Sequence, residues 1–159
     1  MKIIDNYLEK SIFEKIENIL MGDYFPWYYS PHISDDKDVG DYFYFHKLYN
    51  ELNQTSNYFN DIAIPLLGGL KFKKIIRIKI NAYQKKSKIF EHGFHIDFQE
   101  PHKVALFYLN TNNGYTLFKN GKKVESKANR ILLFDGSQKH KSASQTDTNL
   151  RITIVINYQ

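Results

Sequence analysis

Hydrophobic side chains recur at helical spacing in the first part of the chain. Within residues 6–21 they form one stripe of an amphipathic helix, made of Leu8, Ile12, Ile16, Ile19 and Leu20. Asp5 or Asn6 is expected to cap the start of this helix, and Gly22 is expected to end it. The first element predicted from the pattern is therefore a surface helix that packs one face on a core.

A second helix is predicted to begin near Thr55 or Ser56 and to end at Gly68-Gly69. Pro65 should kink or shorten it, because proline removes a backbone donor and crowds the preceding turn. Residues 23–50, between the two helices, are aromatic and irregular. They predict one or two short strands joined by an exposed polar loop.

From residue 71 onward the period changes to the alternation of strands. Residues 71–83 place Ile78 and Ile80 on one face and Arg77 and Lys79 on the other. The second face, with Lys71 and Lys73, forms a basic stripe that is most simply interpreted as a solvated strand face.

Further strands are predicted at 103–110, 131–134 and 151–157, and Asn120-Gly121 is a strong hairpin signal. Helices first and short strands afterwards favour a mainly β protein, a sandwich or jelly roll with helices packed on one outer face. We expect a single domain over 1–159, with a helical part at about 1–70 and a β core at about 71–159.

Composition excludes several kinds of chemistry. The chain of 159 residues contains no cysteine, which rules out disulfides, zinc–thiolate sites and thiol nucleophiles. Its formal net charge of +5 leaves nucleic-acid binding open, although the lysines are spread along the sequence. The apolar run of a signal peptide and any bilayer-spanning stretch are missing, so we expect a cytoplasmic protein without membrane contact.

The candidate chemistry lies in the second half of the chain. In an extended segment His95 and Asp97 project to the same side, and His140 from a distant strand would add a second imidazole. Two imidazoles and one carboxylate on one face of a metal form the set used by non-haem Fe(II) oxygenases, which leaves positions open for O2 and a co-substrate. His-x-Asp alone is a weak signal, and most of the six histidines are expected to be ordinary surface or hydrogen-bonding residues.

Two residues of the last strand add to this picture. Arg151 can reach the same cavity, where its planar guanidinium suits a carboxylate, and Thr153 follows on the same strand face. An inward-facing arginine implies an anionic partner. His92 with His95 does not match the zinc metalloprotease pattern, because Gly93 stands where that pattern requires glutamate, so His92 is expected to be structural or to face the substrate.

The ordered set of short motifs resembles the 2-oxoglutarate- and Fe(II)-dependent dioxygenases, in particular the branch similar to prolyl 4-hydroxylases. The resemblance covers about residues 72–159 and rests on His95-Ile-Asp97, Tyr108-Leu109-Asn110, Gly114-Tyr115-Thr116, Phe134-Asp135-Gly136, His140 and Arg151-Ile-Thr153. It implies a double-stranded β-helix (jelly-roll) core. It also implies Fe(II) held by His95, Asp97 and His140, with 2-oxoglutarate and O2 as co-substrates and ascorbate as an aid in vitro.

The resemblance further implies roles around the co-substrate. Arg151 would meet the far carboxylate of 2-oxoglutarate, Tyr108 would hydrogen-bond the same group, Thr153 would assist and Tyr83 would line the pocket. Gly114-Tyr115 replaces the glycine pair common in the family, which changes the expected pocket wall.

The resulting prediction is a dioxygenase that hydroxylates a C–H bond and forms succinate and CO2. A prolyl or other residue of a peptide leads among the substrates, followed by a free amino acid or other small molecule. Oxidative demethylation of nucleic acid is motivated by charge alone. The alternatives are a non-catalytic module that binds a metal or another ligand on the same scaffold, and a basic nucleic-acid-binding protein with incidental histidines. The sequence leaves the oligomeric state open, and also whether residues 30–55 form a lid.

Overall fold

The computed structural model describes residues 1–33 and 42–159, and within them the chain is mainly β. The helical segments are α1 (Lys10–Met21), a π-helical stretch (Phe59–Ala63) and α2 (Ile64–Leu67). The strands are β1 (Lys2–Asp5), β2 (Tyr28–Ser30), β3 (Phe43–Asn50), β4 (Asn53–Gln54), β5 (Ile75–Gln84), β6 (Lys103–Tyr108), β7 (Tyr115–Phe118), β8 (Lys123–Glu125), β9 (Arg130–Asp135), β10 (His140–Ala143) and β11 (Leu150–Tyr158).

The strands form two antiparallel sheets. The major sheet has the order β1-β9-β6-β11-β5-β3-β2, with β4 also paired to β3, and the minor sheet has the order β10-β7-β8. The predicted hairpin at Asn120-Gly121 is confirmed as the turn between β7 and β8, where Gly121 adopts a positive φ of 86°. A short bridge pairs His95 with His140 and so ties the segment after β5 to the minor sheet.

Alternation along β11 sends successive side chains into two different environments. Ile152, Ile154 and Ile156 face the helical layer and join a core that includes Ile16 and Leu20 of α1. Their neighbours on the other face line a cavity shared with the minor sheet, and they are Arg151, Thr153 and Val155. The central strands are thus covered on both faces, which explains why they contain so few exposed positions.

The space between the two sheets is closed by a second, smaller core. Its buried members come from β6, β7, β8 and β9, and they are Val104, Leu106, Tyr108, Phe118, Val124, Leu132 and Phe134. Phe118 and Phe134 meet edge to face at 5.0 Å, and both rings also approach His140. This packing fixes one wall of the candidate site.

The N-terminal part differs from the prediction. The first helix begins at Lys10 instead of residue 6. Residues 2–5 pair with β9 as strand β1, and the backbone N–H groups of Tyr7 and Leu8 donate to Asn129 instead of starting a helix. Asp5 does not cap the helix, since its carboxylate binds Arg130 at 2.6 Å and Lys127 at 2.9 Å. Asn6 turns the chain with a positive φ of 51°, and no side chain caps the helix start.

The predicted second helix is short. Phe59–Ala63 is π-helical and α2 continues for one turn, with Pro65 at the start of α2. The prediction that the helices precede the strands is therefore wrong, because β1 to β4 already belong to the major sheet. The predicted polar loop around Asp35 and Asp38 lies outside the described residues.

The mainly β architecture with antiparallel sheets is confirmed. Along the described ranges, none of the helices has the length and apolar character needed to cross a bilayer.

Candidate functional site

Three side chains from two distant segments meet at the space between the sheets. His95 and Asp97 lie on the extended segment before β6, and His140 begins β10. One ligand atom from each lies within 4.8 Å of the other two, and Nε2 of His95 is 3.9 Å from Oδ1 of Asp97. The backbone bridge between His95 and His140 holds their rings 4.7 Å apart.

The hydrogen bonds of both imidazoles leave the same nitrogen available. Nδ1 of His140 lies 3.0 Å from the carbonyl oxygen of Gln138, and Nδ1 of His95 lies 3.3 Å from that of Gly93. A carbonyl accepts only from a protonated Nδ1, so in the neutral form of each ring these partners leave the lone pair on Nε2. That is how imidazole ligands of metals are commonly oriented.

Asp97 is held by two residues of the major sheet. Nδ2 of Asn157 donates a hydrogen bond of 2.7 Å to Oδ2, and Nη2 of Arg77 lies 3.5 Å from Oδ1. Arg77 also donates to Oδ1 of Asn157 at 3.2 Å, which completes the network. Burial alone would raise the pKa of Asp97, but Arg77, Asn157 and the two imidazoles outweigh it and keep the pKa below its usual value. The carboxylate is ionised at neutral pH.

His140 is predisposed to be neutral. Its burial lowers its pKa below the ordinary histidine value, and the neighbouring His95 adds to this, against the opposing charge of Asp97. Two imidazoles and one carboxylate match the donor set of a divalent non-haem iron site, so the residues present fit such a metal.

Beside the triad lies a cavity of about 260 Å³ between the two sheets. Arg151 lines it and is 1% exposed, the largest fully buried side chain described. Its Nε donates to Ser126 Oγ at 2.8 Å, and its guanidinium carbon lies 5.4 Å from the ring centre of Tyr83. Within residues 1–33 and 42–159 no carboxylate pairs with Arg151, and burial lowers its pKa. A buried cation without an anion is suited to bind one from a ligand.

The other predicted co-substrate residues surround Arg151. Tyr83 pairs with it in register across β5 and β11, and Thr153 lines the cavity two residues further along. The ring of Tyr108 lies 5.8 Å from the guanidinium, and its hydroxyl donates to Thr116 Oγ1 at 2.8 Å. Burial raises the pKa of Tyr108 to about 12, so its hydroxyl remains a donor.

His92 also lies at the cavity. It is buried, and its Nδ1 is 2.9 Å from both the carbonyl and the hydroxyl oxygen of Ser142. Its ring stacks on Tyr83 at 6.1 Å, and Tyr83 in turn stacks on Phe43 at 5.6 Å. The position agrees with a structural or substrate-facing role and is separate from the triad.

Two cavity residues of β5 were not predicted from the sequence. Arg77 and Lys79 line the cavity, so the predicted solvated face is wrong at these two positions. The alternation of the strand contains the signal. Tyr83, which the family resemblance places at the pocket, lies an even number of residues from both Arg77 and Lys79 and therefore shares their face. Asn157 was missed as well, although it shares the face of Arg151 and Thr153 on β11.

The Arg151 side chain passes so close to the backbone of Gly114 that only a glycine fits there. A Cβ placed on it would lie 2.7 Å from Cδ of Arg151 and 3.0 Å from the carbonyl oxygen of Ala143. The departure from the family pattern at Gly114-Tyr115 therefore keeps a glycine where the arginine side chain passes.

No protein-family model and no curated protein matches the sequence. Solved structures do resemble the fold. An oxidoreductase of the 2OG-Fe(II) oxygenase family from Burkholderia pseudomallei aligns with a TM-score of 0.73 at 13% identity, over 99% of this chain and 84% of its own. A Trichoplax adhaerens prolyl hydroxylase, in complex with a hypoxia inducible factor oxygen degradation domain peptide fragment, gives 0.65 at 16% identity, over 99% and 82%.

A prolyl-4-hydroxylase from Pseudomonas putida aligns with a TM-score of 0.59 at 10% identity, over 99% of this chain and 91% of its own. These identities establish similarity of fold and leave the chemistry to be argued from the site. The chain has the fold shared by 2OG-Fe(II) oxygenase and prolyl hydroxylase structures.

Proposed function

We propose that this protein is a 2-oxoglutarate- and Fe(II)-dependent dioxygenase that hydroxylates a C–H bond on a double-stranded β-helix core. The observation that carries the proposal is the coincidence of two features in one cavity. A His95–Asp97–His140 donor set lines it, and so does a buried arginine without an anionic partner among the described residues.

In this proposal the metal is held by Nε2 of His95, Nε2 of His140 and a carboxylate oxygen of Asp97. Asn157 and Arg77 fix the carboxylate, while Gln138 and Gly93 fix the imidazole rings through their carbonyls. The ligands need little reorganisation on binding, because their rotamers are already set by these partners. Bound iron, 2-oxoglutarate and O2 would supply the oxidising chemistry, with succinate and CO2 as products.

Arg151 is proposed to bind the far carboxylate of 2-oxoglutarate. Its Nε is occupied by Ser126, which leaves the two terminal nitrogens of the guanidinium to form a bidentate pair. Thr153 and Tyr83 would flank the co-substrate. Tyr108 would support the site by holding Thr116, to which its hydroxyl donates at 2.8 Å. The enclosed, partly apolar walls formed by Val104, Leu106 and Phe134 would exclude water from the reacting centre.

The substrate is proposed to carry an aliphatic C–H bond of an amino acid, either free or within a peptide. The Trichoplax adhaerens enzyme is in complex with a peptide fragment, which makes a peptide a reasonable candidate. A non-catalytic binding module on this scaffold is the alternative, and it would bind metal without turnover.

Succinate release tests the proposal. Purified protein with Fe(II), ascorbate and 2-oxoglutarate should form succinate slowly without substrate and faster with it, whereas His95→Ala should form none. His32→Ala is the matched control, because His32 is an exposed histidine outside the cavity. Equal succinate from wild type and His95→Ala would reject the proposal, and metal binding with no succinate from any sample would favour the binding module.

A further inference from the structure

Positively charged side chains outnumber negatively charged ones among the described residues that line the cavity. Among the described lining residues Arg77, Lys79 and Arg151 are cationic, and Asp97 alone is anionic. Arg77 is engaged by Asp97, and Arg151 is assigned to the co-substrate. Lys79 is therefore the one described cation of the cavity to which no binding role has been assigned.

Lys79 lies against aromatic rings instead of an acid. Its Nζ is 4.6 Å from the ring centre of Phe43 and 4.9 Å from that of Phe45. In the described part of the chain no carboxylate forms an ion pair with it. Burial lowers the pKa of Lys79 to about 8, and the charges of Arg77 and Lys47 add to this against the weaker, opposing charge of Asp97. The amine therefore stays mainly charged at neutral pH. A charged amine held there at a cost is poised to bind an anion.

Asn81, two residues further along the same face of β5, provides a second and independent observation. It is 7% exposed and lines the cavity, and its Oδ1 is buried with no hydrogen-bond partner in the described residues. A buried amide oxygen without a donor is costly, and a ligand N–H would satisfy it. The two neighbouring side chains thus offer a cation and an acceptor.

Strand register places this pair between the two parts of the proposed active site. Lys79 is opposite Val155 and Asn81 is opposite Thr153 on β11, whereas Arg77 and Tyr83 are opposite Asn157 and Arg151. The pair therefore lies between the residues that hold Asp97 and those that hold the co-substrate, each about 7 Å along the strand.

We propose that Lys79 and Asn81 form a substrate subsite that recognises a carboxylate and an adjacent N–H group, so that the substrate is a free α-amino or α-imino acid. This inference rests on the proposed function, whose substrate it narrows. A residue inside a peptide presents no free carboxylate to Lys79. The small cavity volume also suits a molecule of this size.

Binding experiments without turnover test the subsite. Protein loaded with redox-inert Zn(II) and 2-oxoglutarate is titrated calorimetrically with the standard L-amino acids, with their carboxamides, and with the des-amino acid of any that binds. At least one amino acid should bind, and its amide and des-amino forms should each bind about tenfold or more weakly. This comparison uses wild-type protein and needs no variant to fold.

Variants then locate the effect. Lys79→Met keeps an aliphatic side chain packed on Phe43 and Phe45. It should lower the affinity for the amino acid by about ten- to a hundredfold, while the affinity for 2-oxoglutarate stays unchanged. Asn81→Leu should abolish the preference over the des-amino form. Lys47→Met is the matched control, because Lys47 is an exposed lysine paired directly with Lys79 across β3 and β5.

The inference would be overturned by amides that bind as tightly as acids, by no amino acid bound at all, or by equal losses in Lys79→Met and Lys47→Met. A loss of 2-oxoglutarate affinity in Lys79→Met would instead assign Lys79 to the co-substrate and would also overturn it. Succinate formation is a separate readout. If the protein forms succinate but amino acids do not bind through their carboxylate, only the proposed subsite is rejected. If amino acids bind as expected but no succinate forms, only the proposed oxygenase activity is rejected.

Discussion

Asn157 donates a hydrogen bond of 2.7 Å to Asp97, and this contact joins the last strand to the segment that precedes β6. Asn157 is completely buried and also accepts from Arg77 at 3.2 Å. The carboxylate is therefore oriented from the major sheet, whereas His140 belongs to the minor sheet. The relative position of the two sheets decides whether the three donor atoms can share one metal.

We predict that Asn157→Leu weakens metal binding by about ten- to a hundredfold, because an outer partner that orients a ligand contributes this much. Anaerobic titration with Fe(II), or with Co(II) followed by its absorption, measures the change. Asn53→Leu is the control, since Asn53 is exposed on β4. An unchanged metal affinity in Asn157→Leu would show that Asp97 is not a ligand or is oriented by Arg77 alone.

Arg151→Met should weaken 2-oxoglutarate binding by about 2–5 kcal/mol, the usual loss when one partner of a buried charge pair is removed. Metal affinity should not change, because Arg151 contacts none of the three donor residues. Calorimetry on the Zn(II)-loaded protein separates the two quantities.

Arg130→Met serves as the comparison for the loss of an arginine. Arg130 binds Asp5 at 2.6 Å on the β1 edge of the major sheet, away from the cavity. If both variants bind 2-oxoglutarate as tightly as the wild type, the buried guanidinium has another partner and the proposed co-substrate is wrong.

Gly114→Ala should lower 2-oxoglutarate affinity by about tenfold or more, because the new methyl group would displace the Arg151 side chain that it meets at 2.7 Å. Gly68→Ala is the control, since a Cβ there meets its nearest atom at an ordinary 3.6 Å. Thermal denaturation should be followed in parallel. A variant that is destabilised but binds 2-oxoglutarate normally would mean that Arg151 can shift without losing the ligand.

The strands that build the site were predictable because their periodicity is strong. Alternation over 151–157 places Arg151 and Thr153 on one face, and β11 spans Leu150–Tyr158 with that alternation intact. The same rule did not show which face of β5 is solvated, because a central strand is covered on both sides and polar residues can point into a cavity. Arg77 and Lys79 were misassigned for this reason.

Contacts between distant segments were beyond the reach of pattern analysis. Asn157 meets Asp97 across 60 residues, and nothing in the local sequence of either residue indicates the other. Strand β1 was missed because it is four residues long and gains its stability from pairing with β9. Pairing of this kind depends on tertiary structure more than on intrinsic propensity.

Lys79→Met should stabilise the ligand-free protein at pH 7, by about 1–3 kcal/mol. Burial lowers the pKa of Lys79 from 10.5 to about 8, so the folded protein gives up this proton more readily than the unfolded chain does. Below pH 8 both states carry the charge, and the folded state bears its full burial cost. Between pH 8 and 10.5 the folded state releases the proton, the cost declines, and the advantage of the variant should shrink with it.

Urea denaturation of both proteins at pH 7 and pH 10 measures this difference, with m-values compared to verify that the same surface is exposed. Lys47→Met should change the free energy of unfolding little at either pH, because Lys47 is exposed. A variant less stable than wild type at pH 7 would mean that the contacts of Lys79 with Phe43 and Phe45 outweigh its desolvation. The lysine would then stabilise the fold, and its placement in the cavity would no longer indicate a charge kept for a ligand.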